Sequence, residues 1–177
     1  MIEKLTKLLV DIVNSPLFLL FAGAFAGYLF GEVKSKLDRK RQYDKNTHTK
    51  MLEFLKSDGF IFYINKQDVM GGYLNYIHKA MDEFHEFCLN PENFYIDKKL
   101  RKLQLDLAEA VESFNHILAI NSMPTNNLDF SKPFQSRSHD HEDNRREFEE
   151  QKATLSALQD LIFQKTTELI ITAKKIL

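Results

Sequence analysis

The chain has 177 residues, enough for one domain with a real core and too few for two large ones. Its charged residues, 28% of the chain, cancel to a formal net charge of −1, which supplies neither a global basic field for nucleic acid nor the acidic excess of a disordered tail. A single cysteine, Cys88, excludes an internal disulfide, and with only 6 Gly and 4 Pro a many-stranded β architecture is disfavoured against a few long helices.

Residues 2–13 read as a short amphipathic helix, with Ile2, Leu5, Leu9, Ile12 and Val13 on one side, suited to a membrane surface. From Ile12 to Gly31 no residue is charged, a run of 20 that spans roughly 30 Å as an α-helix and matches the hydrocarbon thickness of a bilayer. Ser15 and Pro16 form an N-cap and first-turn pair that can start the helix there and shorten the span. Ala24-Phe25-Ala26 also satisfies a signal-peptide cleavage pattern, but the apolar run continues to Phe30 and a basic run follows, so a retained transmembrane helix is expected.

Lys34, Lys36, Arg39, Lys40, Arg41 and Lys45 follow the span, against Lys4, Lys7 and the amino terminus before it. This bias predicts a single-pass inner-membrane protein with its N-terminus outside and its C-terminal domain cytoplasmic, the cations also being available to lipid headgroups. Asp38 and Asp44 interrupt the basic run and no aromatic platform accompanies it, so nucleic acid is not expected as a partner. Gly23, Gly27 and Gly31 make two GxxxG steps on one face, which lets two backbones approach closely in lipid and predicts a homo-oligomer or a partner transmembrane helix.

The remainder predicts an all-α fold: an N-terminal transmembrane helix followed by an antiparallel bundle of three to four long helices. Three segments are expected: residues 1–33 as amphipathic segment and span, 34–57 as a basic juxtamembrane stalk, and 58–177 as a cytoplasmic bundle. The stalk has sparse apolar positions at Leu37, Tyr43, Met51, Leu52, Phe54 and Leu55, and Ser57-Asp58-Gly59 breaks it. A helix over about 66–89 follows, with Met70, Tyr73, Ile77, Met81, Phe84 and Cys88 in phase and Gly71-Gly72 weakening its start, and Asn90-Pro91 ends it. The clearest amphipathic helix covers about 97–121, with Leu100, Leu103, Leu107, Val111, Phe114 and Leu118 on one face. Ser, Asn and Pro mark 122–140 as a long loop. The last helix starts near His141, with Phe148, Leu155, Ile162, Leu169 and Ile176 spaced by seven and Leu158 and Leu161 widening the stripe.

Chemistry-bearing constellations are weak. His78, Asp82 and His85 lie at i, i+4 and i+7 with Glu86 near, a spacing that suits zinc or iron, but they stand on the face opposite the apolar stripe. Glu112 and His116 share a helix face without the Glu-x-x-His of di-iron bundles. His139 and His141, among acidic neighbours, gather possible ligands at the mouth of the last helix, where first-turn acids equally favour the helix dipole. Cys88 lies among apolar residues and reads as a buried thiol. No phosphate loop, dinucleotide fingerprint, GxSxG or HExxH occurs, so neither a catalytic site, a metal nor a cofactor is expected.

The expected function is a non-catalytic membrane-anchored effector or adaptor, of the architecture found in bacterial stress and antiphage systems. Its cytoplasmic bundle would receive a protein partner while the glycine-faced helix assembles in lipid. The alternatives are a membrane-damaging effector that uses the same helix, and a membrane-bound metalloenzyme that uses the His78 or His139 groups.

Overall fold

The computed structural model describes residues 15–56, 61, 64, 73–74, 76–120, 122–124, 130–133 and 142–177. Four long helices dominate them: α1 (Pro16–Leu55), α2 (Tyr76–Leu89), α3 (Lys98–Ile120) and α4 (Glu142–Ile176). Two compact units result, Met1–Gln42 and Tyr43–Leu177, and the second is an all-helical bundle in its long elements.

Helix α1 begins where the Ser-Pro pair dictates, since Ser15 Oγ accepts the Phe18 N–H at 3.1 Å. That start bears on the transmembrane expectation: only the 16 residues Pro16–Gly31 precede Glu32, about 24 Å of helix against roughly 30 Å of hydrocarbon. Among the described residues no helix is long and apolar enough to cross a membrane. The rest of the uncharged run, Ile12 to Asn14, and the amphipathic segment 2–13 lie outside the described residues.

In the second unit, α3 is the helix against which both α2 and α4 pack. All six residues of its expected stripe, from Leu100 to Leu118, are buried, and Gln104, Ala108 and Ala110 join them. Helix α2 buries Ile77, Met81, Phe84 and Cys88, the i, i+4, i+7, i+11 positions of one face. It runs antiparallel to α3, because His78 reaches Asn115 while His85 reaches Glu112. Helix α4 contributes Leu155, Ile162, Leu169 and Ala173, with Leu158 and Ile176 packed beside them. Leu161, expected to widen this stripe, is exposed instead. A Lys165–Asp106 ion pair at 3.0 Å spans α4 and α3, and Gln159 donates to the carbonyl of Ile64. Ile61 and Ile64 also enter the core.

The last turns of α1 belong to this core as well. Asp44, Thr47 and Met51 are buried, and Phe54 packs its ring edge-on against Phe84 at 5.5 Å and tilted against Phe87 at 5.1 Å. The segment that reads as a stalk is therefore a packed helix from Tyr43 onward. It escapes a hydropathy reading because most of its buried positions are polar.

Two local expectations are corrected. The stretch 122–140 is not simply a loop: β2 (Ser122–Pro124) and β3 (Phe130–Pro133) pair antiparallel within it, Ser122 opposite Pro133 and Pro124 opposite Ser131. The helix expected from about 66 is preceded by a strand, β1 (Tyr73–Leu74), and starts only at Tyr76. β1 pairs with β3 to give the order β1-β3-β2. Strands of two to four residues are too short to show period-two alternation, and Pro at strand ends disguises them as loop.

Leu107, fully buried at the centre of α3, tests this core. Leu107→Ala should lower unfolding free energy by about 2–5 kcal/mol. Leu107→Asp should abolish cooperative unfolding, since it places an unpaired charge in the same space. Urea denaturation followed by circular dichroism reads both.

Candidate functional site

Three groupings of side chains stand out: the uncovered first half of α1, a polar seam between α2 and α3, and a buried polar corner at the α2–α3 turn.

Along α1, Leu20, Phe21 and Phe30 are exposed at 71%, 72% and 76%, and Phe25, Tyr28 and Val33 are exposed as well. Gly23, Gly27 and Gly31 face open space: among the described residues, apart from the local helix itself, nothing lies within 4 Å of where a Cβ would stand. The glycines therefore serve no packing inside the described chain, although each costs a helix about 1 kcal/mol relative to alanine. Past Gly31 the same face continues into a shallow groove of about 510 Å³ lined by Gly31, Lys34, Ser35, Asp38, Arg39 and Gln42. Lys36 pairs with Glu32 at 2.7 Å, whereas Lys34, Arg39 and Lys40 make no ion pair among the described residues. Arg41 is exposed too.

The metal candidates on α2 are drawn together, but with α3 and not with one another. His78 Nδ1 donates to Asn115 Oδ1, and Asn115 Nδ2 donates to Asp82 Oδ1 at 2.7 Å. His85 Nε2 lies 3.1 Å from Glu112 Oε2. The two imidazoles are thus half-buried in a helix seam, where the sequence puts them on a solvated face, and Glu86 and His116 stay exposed. An amide stands between His78 and Asp82, so their donor atoms do not converge on one point. Among the described residues no group of three His, Cys, Asp or Glu is arranged to hold a metal. His139 and His141 lie outside the described residues.

The buried corner is what sequence reasoning misses. Asn90 caps a 3-10 turn (Pro91–Asn93), its Oδ1 accepting the Glu92 N–H at 3.0 Å. Asp97 caps α3 through the N–H groups of Lys99 and Leu100, at 2.9 and 3.0 Å. Between these caps the chain crosses the core and leaves backbone groups with no helical partner. Asp44 of α1, 4% exposed, accepts the N–H groups of Ile96 and Asp97 on its two carboxylate oxygens. Gln104 of α3 accepts the Tyr95 N–H at 3.4 Å and donates to the Asn93 carbonyl at 2.9 Å. Tyr43 donates to the Glu92 carbonyl, and His48 Nδ1 meets Tyr95 Oη at 2.8 Å.

Burial pushes the Tyr95 phenol up, with Cys88 and Asp44 nearby adding to the shift. It pushes the Cys88 thiol up to about 12, the Gln104 hydrogen bond opposing it. Cys88 is a free, buried thiol with no means of forming thiolate near neutrality. The signal available in the sequence is Gln104, a polar residue in phase with the apolar stripe of α3. Asp44 gives none, because it sits in a basic run and reads as a mere interruption.

No family model, no curated protein and no solved structure matches this chain.

Asp44→Ala should destabilise the bundle by about 2–4 kcal/mol, the cost of stranding two buried N–H groups. Asp44→Asn should cost less, since its amide oxygen still accepts one of them. Thermal denaturation of both variants against wild type measures the difference.

Proposed function

We propose that this protein is a non-catalytic, membrane-anchored helical effector or adaptor, held in the inner membrane by the apolar first part of α1 and acting through its helical unit. The observation that carries the reading is the apolar surface of α1, where Leu20, Phe21, Phe25 and Phe30 stand exposed among the described residues. A contiguous apolar surface of this kind marks a site for lipid or a partner. The uncharged run of 20 residues from Ile12 to Gly31 supports lipid, because it reaches the length of a bilayer core that Pro16–Gly31 alone falls short of.

The cations beyond it, Lys34, Lys36, Arg39, Lys40 and Arg41, support an orientation with the bundle in the cytoplasm and the N-terminus outside, and anionic headgroups as their contacts. Gly23, Gly27 and Gly31 support a second copy, or another transmembrane helix, as the neighbour in lipid. They are open among the described residues, and close backbone approach is what small residues allow there. The bundle then receives a protein partner, and partner binding that favours one arrangement of the bundle biases how the anchors assemble.

Reporter fusions at Leu177 test the topology: a cytoplasmic reporter should be active and a periplasmic one silent, and the reverse pattern overturns the orientation. Gly27 belongs to both GxxxG steps, so Gly27→Ile should abolish the signal of a genetic reporter of transmembrane association, while Leu20→Ile retains it. Equal signals from the two variants reduce the helix to an anchor that does not self-associate.

A further inference from the structure

At the buried corner, His48 of α1 meets Tyr95. Tyr95 is fully buried, and the one hydrogen bond of its hydroxyl among the described residues is to His48 Nδ1, at 2.8 Å. The arrangement that satisfies this buried hydroxyl's proton has Nδ1 presenting a lone pair, which only the neutral imidazole does. We propose that this contact makes the docking of α1 residues 43–55 on the α2–α3 corner acid-sensitive, releasing that segment as the pH falls below neutral while the α2–α3 pair stays closed.

Protonation turns Nδ1 from acceptor to donor, strands the Tyr95 hydroxyl proton and leaves a positive charge half-buried. The surroundings offer that charge little. Asp44, one turn back on α1, has both oxygens engaged by the Ile96 and Asp97 N–H groups. Asp97 is committed to the first turn of α3, and Arg101 of α3 lies over the Phe94 ring, 4.8 Å from its centroid. From α2 comes the neutral thiol of Cys88, from α3 the neutral amide of Gln104. Burial accordingly holds the His48 imidazole below its ordinary value of 6.5. The docked segment then binds fewer protons than the free one, so docking is at full strength above pH 6.5 and weakens as the pH falls from there toward the lowered value.

Hydrogen exchange read by mass spectrometry on the full chain in detergent micelles, corrected for intrinsic exchange at each pH, tests this. Between about pH 7.5 and about pH 5.5, protection of amides 45–55 should fall by about threefold or more, and that of amides 103–118 should hold. His48→Gln, whose amide oxygen still accepts the Tyr95 hydroxyl, should remove the pH dependence. Unchanged protection of 45–55 in wild type, the same fall in His48→Gln, or a parallel fall in α3 each overturns the proposal. Should the glutamine variant fail to fold, exchange of the imidazole C2 proton of His48 in wild type decides: a midpoint below 6.5 supports the latch, and one at or above it overturns it.

Discussion

A chain that turns through its own core must find partners there for every backbone N–H and C=O it exposes, and at the α2–α3 turn that requirement is met by side chains from elsewhere. Gln104 satisfies Asn93 and Tyr95 from α3, and Asp44 satisfies Ile96 and Asp97 from α1. Each is a buried polar group that would be costly alone, and each becomes favourable because the turn needs it. The positions of α1 on the core, of α3 relative to the turn, and of the His48–Tyr95 contact all depend on this exchange. Removing any member leaves the others buried and unpaired.

The same corner gives α1 two characters along one helix. From Tyr43 on it is a polar helix with Asp44 and Thr47 buried, His48 half-buried beside them, and Met51 closing the stripe. From Pro16 to Gly31 it carries no charge, and its described side chains are exposed. The proposed anchoring rests on that division.

The sequence made the long helices legible and the corner illegible for the same reason. Period 3.6 in apolar residues announces α3 from Leu100 to Leu118 and the seven-residue spacing of Leu155, Ile162 and Leu169 in α4, all of them buried. A core contact made by an aspartate and a histidine carries no such period, so the packed end of α1 reads as stalk. The His78 and His85 pair was visible as a spacing, but what it meets is on another helix. Asn115 and Glu112 are found only once α2 and α3 are laid side by side. Strands β1 to β3 are legible to no periodicity, since the longest has four residues.

The regularity that makes α3 and α4 easy to read also makes their mating ambiguous. Leu100, Leu107 and Phe114 repeat every seven residues, as do Leu155, Ile162 and Leu169, so a slip of one helix past the other by a heptad would again set apolar rows against each other. One contact that marks the correct alignment against the slipped one is Lys165 against Asp106, 3.0 Å apart with side chains only 24% and 29% exposed. Shifted by seven, Asp106 would face Leu158 or Thr172, and a half-buried carboxylate would lose its cation. A contact of small worth to stability thus acts as the index mark of the seam, and its loss would be felt as a mixture of alignments before it is felt as a lower melting temperature.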